Sequence, residues 1–318
     1  MIEILNLETG NIIGMEDFDF GVEEHLWVQC WHPSSKEVSF IAKNFQIPEE
    51  DIRDALDSKE IPYIENEWED SSYVKVVVRF PVKDLIASFE ETGVITIPAV
   101  AFLFENILIT VQDYDYNFVS RKKSGIKFKG KMTAIIAFLR FLESVVFRYE
   151  DLVSYIDEMS SAIQKKVFET VSNASLKQVF HLSRMNIYLD SAIKGDLTVF
   201  HKLRRLSIVE PLMEVDGYLE DLEIDLKQEA ELINVFRGLI ENSSDAFASV
   251  INNNQNAILK LLTVISLVIS IPATISSIYG MNVLLPLADQ VYAFWLLMGL
   301  SAVLSFISWK WMQRYDFS

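Results

Sequence analysis

The sequence predicts an α+β domain followed by long helices and two C-terminal transmembrane helices. Up to about residue 112, apolar residues recur mostly with the period of two that is typical of strands. Beyond residue 131 the pattern is helical. Residues 261–279 and 291–309 are two stretches of 19 residues without a charged side chain. Each is long enough to cross a bilayer core, which needs about 20 apolar residues.

The N-terminal region, residues 1–125, is predicted to be a cytosolic α/β domain. A helix-like segment around Pro48–Ser58 interrupts its β-rich runs, and three acidic residues follow the proline as in the first turn of a helix. The N-terminus has no basic segment followed by an apolar one, so we expect no secretory signal peptide. The β-rich runs are His25–Trp31, Tyr73–Phe80 and Ile95–Val111.

Residues 126–256 are predicted to be a cytosolic helical domain. This region begins within the basic segment Arg121–Lys131, and its main interruptions are Asn173 and Ser207–Pro211. Pro211 suits the first turn of a stalk helix that starts at about 211 and meets no strong stop before Gly280. Seventy helical residues at about 1.5 Å each would extend roughly 100 Å, so this helix would join the cytosolic domain directly to the first span.

The composition limits the classes of function. The chain has 45 acidic and 28 basic residues, for a net charge of −17. This excess disfavours nucleic acid and anionic lipid as partners and favours cations, although acidity for solubility alone would give the same composition. Cys30 is the single cysteine, and the four histidines are too scattered for a zinc site. No nucleophile and base pair or phosphate loop is recognisable, so we predict that the chain is not an enzyme.

The membrane region is predicted to consist of a helix at 257–280, an outer loop at 281–290, a second helix at 291–311 and a tail at 312–318. The loop contains no Lys or Arg, whereas basic residues flank the opposite ends of the two spans. By the positive-inside rule, we expect both termini in the cytosol, and the two spans predict a multi-pass protein of the cell membrane. The flanking basic residues are Lys260, Lys310 and Arg314.

The first span carries a line of hydroxyl side chains. Their spacing of 3, 4, 4 and 3 residues places all five within about 80° of one another on a helix. Two interpretations are open, a pore-lining face or a packing seam between helices. Two spans cannot enclose a pore, so the first interpretation also requires a homo-oligomer. The hydroxyl residues are Thr263, Ser266, Ser270, Thr274 and Ser277, and the same face continues downward to Leu259 and Asn256.

The sequence Tyr279-Gly280-Met281-Asn282, at the outer end of the first span, resembles the signature of the CorA-type divalent cation channels, the two-transmembrane GxN family. Further similarity lies in the N-terminal domain and before the signature, so that it extends over nearly the whole chain. The similar segments are Trp27–Pro33, Phe45–Leu56, Asn106–Val111, Phe236-Arg237, Asn256, Lys260–Thr263 and Pro272.

The resemblance implies a funnel-shaped homopentamer whose long helix lines a central pore. It implies entry of Mg²⁺, with Co²⁺ and Ni²⁺ as further candidates, and a selectivity filter formed by Gly280, Met281 and Asn282. It also implies gating by Mg²⁺ bound between cytosolic domains. Asp221 lies at about the distance before the signature where relatives have a regulatory acid, and Asp225 is one helical turn onward.

The sequence departs from the family pattern in two places, and two alternative functions also remain open. Many relatives have an acid soon after the signature, whereas here the first acid is Asp289, and the C-terminal tail is less basic than usual. A zinc-transporting member of the same superfamily is one alternative, which Met281 and the scarcity of Cys and His disfavour. A non-conducting, membrane-anchored sensor or scaffold is the other.

Overall fold

A computed structural model describes residues 1–13, 25–66, 73–116, 118, 132–169, 173–205, 213–287 and 290–314. The chain divides into two compact units, Met1–Ser244 and Asp245–Ser318. The predicted domain boundary at 125 and the predicted start of the stalk helix at about 211 lie outside the described residues, and both stay predictions.

The first unit contains a seven-stranded mixed sheet in the order β2-β1-β3-β7-β6-β5-β4. All neighbouring strands are antiparallel except β3 and β7, which pair in parallel with Val28 opposite Ile109. A parallel pair requires a crossover connection, which here contains β4, β5 and β6. The strands are β1 (Ile2–Asn6), β2 (Ile12–Ile13), β3 (Leu26–Trp31), β4 (Tyr63–Asn66), β5 (Val74–Pro81), β6 (Thr96–Leu103) and β7 (Ile107–Gln112).

The predicted β-rich run Ile95–Val111 folds as two strands, β6 and β7. Phe104 begins the short connection between them, and its N–H donates to the carbonyl of Ile107 at 2.8 Å. All eight residues of β6 are buried, because the sheet is covered on both faces. In the sequence, a strand that is buried on both faces is a continuous apolar run rather than an alternation of apolar and polar residues.

Two short helices cover one face of the sheet. Helix α1 (Ser35–Phe45) begins with a capping box in which the Ser34 side chain accepts from the Glu37 N–H and the Glu37 carboxylate accepts from the Ser34 N–H. The predicted helical segment around Pro48–Ser58 contains α2 (Glu49–Arg53) and a 3-10 helix over Asp54–Leu56. Val38, Ile41 and Ile52 from these helices are fully buried in the core of this layer.

Three long helices complete the first unit. Helix α4 (Ala134–Glu169) and helix α5 (Asn173–Leu203) pack against β5, and a four-residue helix, α3 (Phe89–Thr92), precedes β6. Helix α6 (Met213–Tyr279) is 67 residues long, and the boundary between the two units, after Ser244, falls within it. Gly217 and Gly238 do not interrupt it, and Pro272 lies inside it.

The second unit contains the C-terminal part of α6, a turn and helix α7 (Ala293–Arg314). Both helices are long and apolar enough to cross a membrane. Over residues 293–312, the buried positions of α7 are the small residues Ala293, Ser301 and Ser305, as is common where membrane helices pack closely. The Ser305 hydroxyl donates to the carbonyl of Val268 on α6 at 3.3 Å.

Candidate functional site

The line of hydroxyl residues on α6 is exposed along its whole length. Three of the five hydroxyls donate to the backbone carbonyl one turn earlier, which satisfies their protons within the helix. These bonds join Thr263 to Leu259 at 2.8 Å, Ser270 to Ser266 at 2.6 Å and Thr274 to Ser270 at 2.8 Å. Oxygen lone pairs remain available as acceptors. The exposed positions are Asn256, Leu259, Thr263, Ser266, Ser270, Thr274 and Ser277.

Helix α7 packs on a different face of α6. Val264, Val268 and Ile275 are half-buried, and Val268 receives the hydrogen bond from Ser305. At about 100° per residue, the centre of these three positions is about 140° from the centre of the hydroxyl line. The hydroxyl line is therefore not the packing seam between α6 and α7.

The Gly-Met-Asn sequence forms the turn at the C-terminus of α6. The N–H of Gly280 donates to the carbonyl of Ser276 at 2.9 Å, and that of Met281 donates to Ile278 at 3.2 Å. A Cβ on Gly280 would lie 3.3 Å from the Ser276 oxygen, so glycine allows this tight closure. Met281 and Asn282 are exposed.

Electrostatics at this turn favour a cation. The last carbonyls of a helix carry partial negative charge, and a carbonyl that accepts one hydrogen bond keeps a second lone pair for another. Asn282 adds a neutral amide that can accept or donate hydrogen bonds. The Tyr279 hydroxyl, which donates to the carbonyl of Pro286 at 3.3 Å, ties the end of α6 to the following loop. Asp289, the first acid after the turn, lies outside the described residues.

The predicted regulatory acids, Asp221 and Asp225, are both exposed on α6. Positions four apart differ by about 40° around a helix, so the two carboxylates share a face. In the part of the chain that the structure describes, no three His, Cys, Asp or Glu side chains are close enough to hold a metal ion. Within the described part of one chain, the pair is therefore not part of a complete metal site, and its regulatory role stays a prediction.

Two other acids of this helix, Glu220 and Glu223, have basic partners. Glu223 is 3% exposed and lies 2.9 Å from the Lys227 ammonium and 3.2 Å from the Arg204 guanidinium. Burial acts to raise the pKa of Glu223, but these two cations outweigh it and the pKa is lowered. Glu220 also lies 3.4 Å from Arg204. The i,i+4 spacing of Glu223 and Lys227 was visible in the sequence, whereas the partnership with Arg204 was not.

Two further polar contacts fix α6 against α5 within the first unit. The Asn186 side chain, which is buried, donates to the backbone carbonyl of Ile233 at 3.0 Å. Arg237 forms an ion pair with Asp190 at 2.6 Å, and Lys194 binds the same carboxylate at 2.8 Å. The acidic face with Asp221 and Asp225 is thus on a helix that polar contacts hold in a defined rotation.

Comparison with known proteins gives a consistent result. The cobalt/magnesium transport protein CorA of Methanocaldococcus jannaschii is 23% identical over 318 aligned residues, which cover 96% of each chain. The magnesium transport protein CorA of Campylobacter jejuni is 24% identical over 292 residues, covering 87% of this chain and 86% of the relative. The complete structure of the CorA magnesium transporter from M. jannaschii superposes with a TM-score of 0.82 at 22% identity, covering 100% of this chain and 99% of the other.

The structural likeness confirms the predicted fold class of an α/β domain, a long helix and C-terminal apolar helices. A family model described as CorA-like Mg2+ transporter protein matches residues 22–314, nearly the whole chain. This is a family of membrane transporters and not of enzymes, as the sequence predicted. The chain belongs to the CorA-like Mg²⁺ transporter protein family.

Proposed function

We propose that this protein is a divalent cation channel that moves Mg²⁺ across the cell membrane, with Co²⁺ and Ni²⁺ as further substrates. Membership of the family and the names of the cobalt/magnesium and magnesium transport relatives support this proposal. The observation that carries it is the exposed hydroxyl line of α6, which faces away from α7 and leads to the Gly-Met-Asn turn. In a protein that only anchors a cytosolic domain, such a line could serve only as a packing seam with another copy of the chain.

A pore requires several copies of the chain, because two spans cannot surround a channel. We propose a homopentamer in which each α6 presents its hydroxyl line to the central axis. Exposed polar groups in the membrane then contact water and ions instead of lipid. Both chain termini lie in the cytosol in this arrangement, as the flanking charges predict.

The filter of the proposed channel is a ring of Gly280, Met281 and Asn282. Mg²⁺ loses its water reluctantly and usually keeps several water ligands. Neutral amides of Asn282 and the carbonyls at the end of α6 can hydrogen-bond this hydration shell without removing it. Selection of a hydrated ion needs no acidic side chain at the filter, which is consistent with the apolar residues from Val283 to Leu287.

Gating in this proposal uses regulatory Mg²⁺ at Asp221 and Asp225. The ion would bridge these carboxylates to ligands of a neighbouring subunit, since oxygen ligands suit this hard cation. Bound Mg²⁺ closes the channel if the closed state holds the ion more tightly than the open state.

Ion flux into liposomes tests the function directly, with wild type compared with Asn282→Ala. We expect Mg²⁺ entry through the wild type and at least a tenfold loss in the variant, because the variant lacks the amide ring but keeps the turn. Asn254→Ala, a change of an exposed asparagine elsewhere on α6, is the matched control and should conduct normally.

Two outcomes would indicate a different function, and a third would exclude the proposed filter residue. A scaffold would conduct nothing in any form. A zinc transporter would carry Zn²⁺ in preference to Mg²⁺. Wild-type flux through Asn282→Ala, in protein that assembles normally, would remove Asn282 from the mechanism.

A further inference from the structure

Arg79 of β5 lies beyond the end of β4, so β5 has no neighbouring strand on that side there. Strand β4 pairs with β5 only from Asn66 opposite Val74 to Tyr63 opposite Val77. The N–H and C=O of one residue point to the same side of a strand, and those of Arg79 point to the side that lacks a strand, where Asp196 and Tyr149 lie. The backbone N–H and C=O of Arg79 therefore need other partners, because buried peptide groups left without hydrogen bonds are costly.

Side chains of α4 and α5 supply those partners. The Arg79 N–H donates to Asp196 Oδ1 at 2.9 Å. The Tyr149 hydroxyl lies 3.0 Å from the Arg79 carbonyl and 2.8 Å from Asp196 Oδ2. Asp196 and Tyr149 are both 0% exposed, so bulk solvent does not reach these contacts.

The number of protons shared by Asp196, Tyr149 and the Arg79 carbonyl, the polar junction between α4, α5 and β5, decides which of these contacts are hydrogen bonds. A phenol has one proton, and Tyr149 has two acceptors within reach, Asp196 Oδ2 and the Arg79 carbonyl. If Asp196 is ionised, one of these two oxygen pairs has no proton between its members. If Asp196 Oδ2 carries a proton, that oxygen donates to Tyr149, and Tyr149 donates to the Arg79 carbonyl. Every group is then satisfied.

Burial favours a neutral Asp196 carboxyl, and the nearby cation Arg79 is occupied by other partners. Tyr149 from α4 and Arg79 from β5 are the titratable side chains that act on Asp196. The Arg79 guanidinium binds the carbonyls of Ser58, Glu60 and Thr96 and the Thr96 hydroxyl, and Asp57 and Glu60 lie near it. Burial raises the pKa of Asp196 to about 8, against the lowering effect of its hydrogen bonds and of Arg79.

We propose that Asp196 carries a proton in the folded protein and that its neutral carboxyl, together with Tyr149, replaces the missing strand beside Arg79. The carboxyl accepts one hydrogen bond and donates another, as the peptide group of a neighbouring strand would. The junction between α4, α5 and the sheet is therefore proton-dependent.

The sign of the pH effect follows from linkage. The folded state holds the Asp196 proton more tightly than the unfolded state does. The stability that this difference provides is fully present below the unfolded pKa of Asp196, near 3.8, and is lost as the pH rises through about 8. Between these limits, the unfolding constant should rise by up to about tenfold per pH unit from this group alone.

Asp196→Asn in the full-length protein tests the proposal. The amide oxygen can accept from the Arg79 N–H and the amide nitrogen can donate to Tyr149, so the variant copies the protonated acid. In detergent, we expect its thermal midpoint at pH 7.5 to equal or exceed that of the wild type. The wild type should lose stability relative to the variant between pH 4 and 8. Asp190→Asn on the same helix is the control, and it should lower the midpoint because Asp190 is an ionised partner of Lys194 and Arg237.

Infrared spectroscopy reads the proton directly. The wild type at pH 6.5 should show the carbonyl band of a buried carboxylic acid that is absent from Asp196→Asn, and the band should disappear as the pH is raised above 8. A variant that fails to fold, or that is destabilised as much as Asp190→Asn, would overturn the proposal, since the amide reproduces both hydrogen bonds. So would the absence of the carboxylic acid band from the wild type.

Discussion

At the scale of single residues, Lys75 shows how this protein treats a buried charge. The Lys75 side chain is 3% exposed, and its ammonium lies 2.8 Å from Asp51, 2.7 Å from Asp54 and 3.4 Å from Glu65. Burial acts to lower the pKa of Lys75, but hydrogen bonds to Asp51 and Asp54 outweigh it, and the pKa is raised. The lysine thus stays charged at neutral pH and ties β5 to the 3-10 helix that follows α2.

Replacing Lys75 by Met should destabilise the protein strongly. The change leaves three carboxylates close together without their cation, and breaking a buried ion pair on one side costs about 3–5 kcal/mol. Denaturant unfolding of the full-length protein in detergent measures the loss. Lys59→Met, at an exposed lysine of the same unit, should change the free energy of unfolding by no more than about 0.5 kcal/mol. Similar losses in both variants would show that the three carboxylates do not depend on Lys75.

At the scale of single elements, α6 performs different tasks on different faces. In the first unit, Glu223 faces inward to Arg204 while Asp221 and Asp225 stay exposed. In the second unit, one face contacts α7 and the hydroxyl line occupies another. One helix can do this because each side chain direction repeats every 3.6 residues, so separate lines of residues remain apart over many turns.

Cysteine labelling can separate the two faces of the first span. In a background with Cys30 replaced, cysteines at Thr263, Ser266, Ser270, Thr274 and Ser277 should react readily with a water-soluble thiol reagent. Matched cysteines at Val264, Ile265, Val268 and Ile275 should react at least several-fold more slowly, because that side of α6 lies toward α7 or lipid. Equal labelling of the two sets would support a packing seam with another subunit instead of a water-filled pore.

At the scale of the whole molecule, the proposed gating depends on neighbouring copies of the chain. The described residues of one chain contain no complete metal site, so Asp221 and Asp225 would need ligands from a second subunit to bind Mg²⁺ well. A site shared between subunits can report the internal Mg²⁺ concentration to the pore, because ligand binding then favours one arrangement of the assembly.

Neutralising both acids should therefore leave the channel open. We expect Asp221→Asn combined with Asp225→Asn to conduct at internal Mg²⁺ concentrations that close the wild type, and to lose Mg²⁺ protection against proteolysis of the cytosolic region. Glu231→Gln combined with Glu241→Gln, which removes two exposed acids elsewhere on α6, is the charge-matched control. Unchanged Mg²⁺ inhibition in the Asp221 and Asp225 double variant would exclude this pair as the sensor.

Features that depend on neighbours along the chain could be predicted from the sequence. The two uncharged stretches indicated the spans, and the 3, 4, 4 and 3 spacing placed Thr263 to Ser277 on one helical face. The predicted fold class and family are confirmed. The roles of Asn282, Asp221 and Asp225 stay predictions. These inferences succeed because hydrophobicity and helical period are properties of a continuous segment.

Features that depend on distant partners were decided only by the tertiary structure. Three such contacts have no signal in the sequence near either partner. They are the parallel pairing of β3 with β7, the ion pair of Glu223 with Arg204, and the hydrogen bond from the Arg79 N–H to Asp196, 117 residues away. From the sequence alone, an Asp in a helix is predicted to be a solvated charge, whereas the fold buries Asp196 against a peptide group. Its environment, and hence its proton, is then set by residues that the chain brings together from far apart.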